Sequence, residues 1–220
     1  APGSDERADG VRYLAEGAVL GLYRFDRHRS EDKKAPSVES CPIAMESDEG
    51  IVNLSGDTMQ AQIAIGNQVA QGISLARDLV NEGPNHMNPL TLADAAAAVA
   101  KEENLDCTIF GLKEIQDKNM ELLLAVNAGS DIEPRLIHMT YTPEGDTTDL
   151  PVVAFVGKGL TFDAGGYNLK PTGAIDDMKI DMAGSAAVLG AMKGIRAIAP
   201  RAIVHAIIPS TENLVNGKAY

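Results

Sequence analysis

A chain of 220 residues with 45% apolar and 23% charged side chains can bury a substantial core and has an ordinary globular composition. Its formal charge of −12 argues against a nucleic-acid partner, which would leave a basic footprint, and favours attraction of cations. No apolar run approaches the roughly 18 residues that a spanning helix needs, so no membrane partner is expected.

In chain order, Ala1 to Arg12 is polar and carries no secretory apolar segment. An apolar–aromatic segment, Ala18 to Asp26, precedes a charged, turn-rich stretch over 27–50 that reads as a linker or surface loop. From Asp57, the spacing of Met59, Ile63, Ala70, Ile73 and Val80 predicts a helix capped by Asp57 or Thr58. Pro84 and Pro89 end it, and Thr91-Leu-Ala-Asp94 reads as a capping box opening an Ala-rich helix that runs to Glu103. A short strand (Cys107–Phe110), a helical stretch (Leu112–Asp117) and an apolar piece (Leu122–Val126) follow. Leu136–Tyr141, Val152–Val156 and Ala202–Ile208 read as strands of one largely buried sheet, with a helix over Gly184–Ala199 packed on it. Helices alternating with short apolar strands predict an α/β fold, whose ligand loops gather beyond the carboxyl ends of strands.

The loop after Val156 lies at such a position. It carries Lys158, Asp163, Lys170 and Asp181 among glycines. A Walker A reading fails because Val152 stands where its first glycine belongs and Gly159 follows Lys158. The dinucleotide fingerprint fails at Phe162. A lone aspartate is most often solvated or helix-capping, but Asp163 is followed by Gly165-Gly166, which lets the backbone turn sharply toward a ligand. Oxygen-rich donors suit Zn²⁺, Mn²⁺ or Mg²⁺ better than a soft metal. Cys41 and Cys107 are isolated, which excludes a CxxC motif and makes a reducing, cytoplasmic setting the default. His28, His86, His138 and His205 are scattered and read as no cluster, and neither a His-Glu-x-x-His motif nor a nucleophile elbow is present.

Val156-Gly-Lys-Gly-Leu-Thr-Phe-Asp163, Gly165-Gly166, Lys170-Pro171, Met178-Lys179 and Asp181-Met-Ala-Gly-Ser-Ala-Ala187 resemble the signature of the leucyl (cytosol-type) aminopeptidases in order and spacing. The likeness extends to Ala76–Asn81 with Pro84-Asn85 and Pro89, to Pro209 with Glu212-Asn213, and to Glu16–Asp26. That resemblance implies a mixed sheet sandwiched between helical layers. Residues 1–50 would be the end of an amino-terminal domain and its linker, and 51–220 the amino-terminal part of the catalytic domain.

It further implies Lys158, Asp163 and Asp181 as metal ligands, with Asp163 bridging two divalent ions, Mn²⁺ or Zn²⁺ with Mg²⁺ as a further candidate. Lys170 would steady the oxyanion and Met178 would line the pocket for the first side chain. The implied protein is a cytoplasmic homo-hexamer that removes amino-terminal, Leu-like residues from peptides through water activated between two metals. Ala164 departs from the serine common at that position. The family's Asn-Thr-Asp-Ala-Glu-Gly-Arg motif, with two further carboxylate ligands, lies beyond the 220 residues, so the chain expressed as written is expected to be inactive. The competing expectation is a non-catalytic fragment or relative acting as an assembly or binding module.

Overall fold

The computed structural model describes residues 4–31, 38, 40–43, 46–47, 50–51 and 55–218. Much of the predicted linker over 27–50 lies outside the described residues. Within it, β1 (Glu46–Ser47) and β2 (Gly50–Ile51) pair antiparallel.

The remaining elements are α1 (Ser4–Gly21), α2 (Gly56–Asn81), α3 (Pro89–Glu102), β3 (Asp106–Phe110), α4 (Leu112–Asp117), α5 (Glu121–Asn127), β4 (Arg135–Tyr141), β5 (Val152–Val156), β6 (Gly159–Asp163), a 3-10 turn (Met178–Ile180), α6 (Ala183–Ile198) and β7 (Ile203–Asn213). The fold is α/β with a mixed five-stranded sheet. Strand β7 is its centre. On one side β7 pairs antiparallel with β4, which pairs antiparallel with β3. On the other side its first half pairs parallel with β5 and its second half with β6.

Period-two alternation decides which side chains face the helices. Ile137, Met139 and Tyr141 of β4 meet Val204, Ala206 and Ile208 of β7 in one core with Leu92, Ala96 and Val99 of α3 and Leu189, Met192 and Ile195 of α6. Helix α2 packs against α6, and α1 against α2. The segment after α1 is held on the end of α2 by polar contacts. Tyr23 Oη donates to Asp78 at 2.9 Å, Arg27 donates to the same carboxylate at 2.9 Å, and His28 Nε2 lies 2.6 Å from Glu82 Oε1.

Four features differ from the sequence-based expectation. Helix α2 is capped by Ser55, whose hydroxyl accepts from the Thr58 N–H at 3.1 Å, while Asp57 lies inside the first turn. Helix α3 starts earlier than Thr91. Asn88 is its N-cap, Pro89 supplies the first turn, and Thr91 is the reciprocal partner of the capping box. Proline there is favourable, because its missing N–H would have no intrahelical partner. The third difference is β6, which extends the sheet through residues expected to be loop. Finally, β5 joins the expected sheet but is not buried. Val152 and Val156 are 62% and 70% exposed, because among the described residues only β7 flanks this strand.

Helices α2 and α6 cross closely, glycine against glycine. A Cβ at Gly72 would sit 2.3 Å from the Gly190 carbonyl oxygen, and one at Gly190 would sit 2.6 Å from that of Gly72. Only backbone can occupy that space. Gly190→Ala is expected to push the helices apart and cost about 1–3 kcal/mol, the range for overpacking. Urea unfolding would measure this, and an unchanged midpoint would refute the packing argument.

Candidate metal centre

Strand β5 ends at Val156, and the Gly157 N–H still donates to the Ile207 carbonyl at 3.0 Å. The chain then kinks and rejoins β7 as β6. Lys158 occupies the kink. Its carbonyl accepts the Ser185 N–H at 3.0 Å, which ties it to the first turn of α6. From there Lys158 Nζ reaches Asp181 Oδ1 at 3.0 Å. Asp181 itself follows the 3-10 turn just before α6, and its other oxygen, Oδ2, is buried with no hydrogen-bond partner among the described residues.

Asp163 ends β6 in register with Asn213 of β7. Its Oδ1 accepts two hydrogen bonds, from Asn213 Nδ2 at 2.7 Å and from the Gly165 N–H at 3.0 Å. Its Oδ2 lies 2.8 Å from Lys170 Nζ. The loop between them closes through the Lys170 N–H, which donates to the Ala164 carbonyl at 2.9 Å. Gly165 and Gly166 turn there at φ +93° and +64°, the left-handed region that side-chain-bearing residues avoid. Lys170 Nζ also touches Met178 Sδ at 2.6 Å, which links the loop to the 3-10 turn that carries Asp181.

Thus Lys158, Asp163, Lys170, Met178 and Asp181 form one continuous chain of contacts. Burial would push the Asp163 carboxyl up, but hydrogen bonds from Lys170, Asn213 and Gly165, with the Lys170 charge, outweigh it and hold the group below its ordinary value. Among the described residues no three His, Cys, Asp or Glu side chains cluster as a cation site. The donors at this cluster are two carboxylates and two lysines. Oxygen donors suit a hard dication, and Asp181 Oδ2 is a buried carboxylate oxygen with no hydrogen-bond partner among the described residues.

Asn213 entered the sequence reasoning only as part of the family likeness, with no role at the site. Its contribution depends on β6 pairing with β7, and nothing in local pattern announces that pairing. The histidines also differ from expectation, since they form two pairs. His28 stacks on His86 with ring centroids 5.2 Å apart, and His138 Nε2 lies 3.0 Å from His205 Nδ1 on adjacent strands. Separations of 58 and 67 residues concealed both.

The model of the cytosol aminopeptidase family, catalytic domain, matches residues 74–220. The chain belongs to the cytosol aminopeptidase family. A probable cytosol aminopeptidase of Synechococcus sp. (strain CC9605) is 43% identical over 99% of this chain and 42% of its own length. One of Aquifex aeolicus (strain VF5) is 41% identical over 96% of this chain and 40% of its own. The bottromycin maturation enzyme BotP, solved in complex with Mn, superposes with a TM-score of 0.77 at 34% identity, covering 96% of this chain and 42% of that one. This member of the family therefore spans about two fifths of the length of those relatives. Among the described residues no helix is long and apolar enough to cross a membrane.

Lys170→Met keeps the aliphatic stem and removes the ammonium. In metal-free protein the Asp163 carboxyl should then titrate at a higher pH than in the parent, because burial is left less opposed. A carbon-detected NMR titration would show it. An unmoved midpoint would mean that Lys170 is not what holds Asp163 ionised.

Proposed function

We propose that the full-length protein is a metallo-aminopeptidase that releases amino-terminal, Leu-like residues from peptides at the cluster built by Lys158, Asp163, Lys170 and Asp181. The observation that carries this reading is the pair of partly buried carboxylates, one oxygen of which, Asp181 Oδ2, has no hydrogen-bond partner among the described residues. Membership of an aminopeptidase family supplies the reaction class, and the Mn complex of BotP supports a divalent cofactor.

Asp163, Asp181 and Lys158 are the residues that would hold the divalent ions. When bound, such ions hold a free α-amine, polarise the scissile carbonyl and lower the pKa of a water. Lys158 must lose its proton to serve as a donor, which a neighbouring dication favours. Lys170 supplies a fixed positive charge for the oxygen that gains charge as the carbonyl is attacked. Met178, in contact with Lys170, presents an apolar wall to the first side chain. Mn²⁺ and Zn²⁺ are the expected ions, and a homo-hexamer in the cytoplasm is the expected setting.

The full-length protein should hydrolyse Leu-p-nitroanilide, lose that activity to a chelator and regain it with Mn²⁺. Asp163→Ala should abolish turnover and metal binding while the far-UV spectrum stays unchanged. Turnover by the Asp163→Ala protein with metal still bound would sink the assignment. Met178→Ala should instead redistribute preference among first side chains by roughly 1–3 kcal/mol, the scale of a lost methylene contact in an apolar pocket. Comparing kcat/KM for Leu, Met and Ala substrates measures this, and an unchanged ratio would place the pocket elsewhere.

A further inference from the structure

Asn213 has no part in the ligand set argued above, yet its side chain and backbone both contact the segment that carries Asp163. Three observations meet there. Its Nδ2 donates to Asp163 Oδ1 at 2.7 Å. Its backbone carbonyl accepts the Ala164 N–H at 2.9 Å, just where β6 leaves the sheet. Its other side-chain atom, Oδ1, faces Gly166, where an added Cβ would come within 2.8 Å. A side chain at position 166 would collide with the amide, so the glycine leaves Asn213 its place beside Asp163. A carboxylate oxygen demands a donor, so the amide orientation is settled as well.

We infer that Asn213 is a positioning residue that fixes the rotation of the Asp163 carboxylate and thereby sets the metal affinity of the site. With Oδ1 held by the Asn213 amide and the Gly165 N–H, the carboxylate plane is locked and Oδ2 is aimed into the cluster, toward Lys170. A carboxylate free to rotate would lose that aim and would have to be ordered again on binding a cation. Outer partners of this kind typically change metal affinity by about 10–100-fold. The inference rests on the metal reading of Asp163.

The test uses the full-length protein with Mn²⁺ as the probe. Asn213→Leu keeps the size and removes the donor, and Asn213→Ser withdraws the donor by shortening the side chain. Both should weaken Mn²⁺ binding, followed by the EPR signal of free Mn²⁺, by about 10–100-fold. The melting temperature of the metal-free protein should stay near that of the parent, and kcat should return at saturating Mn²⁺ with KM for the peptide unchanged. Parental Mn²⁺ affinity in either folded variant would overturn the inference. So would a large fall in the metal-free melting temperature of both, which would mark the amide as a structural strut. Asp163→Ala, run alongside, separates the two levels: if it too binds Mn²⁺ like the parent, the metal reading itself fails and takes this inference with it.

Discussion

Strand β7 is the constraint on which the rest of the molecule depends. It contacts β4 along one side and β5, then β6, along the other, so three strands have their register set by one backbone. The change of neighbour from β5 to β6 forces the kink that holds Lys158. The end of the β6 pairing brings Asp163 opposite Asn213. Because side chains alternate with period two, a one-residue slip of β7 would turn Val204, Ala206 and Ile208 out of the core. The same burial that stabilises the sheet therefore also places the chemistry.

The cluster balances its charges with its own side chains. Two partly buried carboxylates would be costly alone, since removing a charge from water is compensated only by a partner and by hydrogen bonds. Each has a lysine within 3.0 Å, and Asp163 has two neutral donors as well. The folded chain thus orients both acidic groups with its own side chains, and the partners of Asp163 hold its carboxyl below the ordinary value. Electrostatic preorganisation of this sort spares the reorganisation that would otherwise accompany ligand entry.

Most of the fold was legible because buried faces repeat. The helix expected over Gly184–Ala199 and the short apolar runs of β4 and β7 mark elements whose burial the structure bears out, whereas of the spaced positions in α2 only Ala70 is fully buried. Legibility failed where the deciding partner lies elsewhere in the chain. Ser55 and Asn88 stand just outside the periodic runs they cap. Gly157 and Gly159 made β6 look like loop, although Gly159 packs closely on the Pro209 carbonyl in a sheet. Val152–Val156 reads as buried because hydrophobicity cannot say whether a strand has one neighbour or two. The site residues came from motif order, since a lysine among candidate donors has no compositional signature. Asn213 needed the register.

The position of β7 along the chain has a kinetic consequence. The β5 strand and its partner segment on β7 are separated by 51 residues, from Val156 to Ile207. At synthesis rates of roughly 5–20 residues per second, β5 waits about 3–10 s before that segment has even been made. During that interval an uncharged, β-branched segment with unpaired edges is offered to any strand that can pair with it. Nascent chains of this protein should therefore depend on early-acting chaperones more than the stability of the finished sheet would suggest.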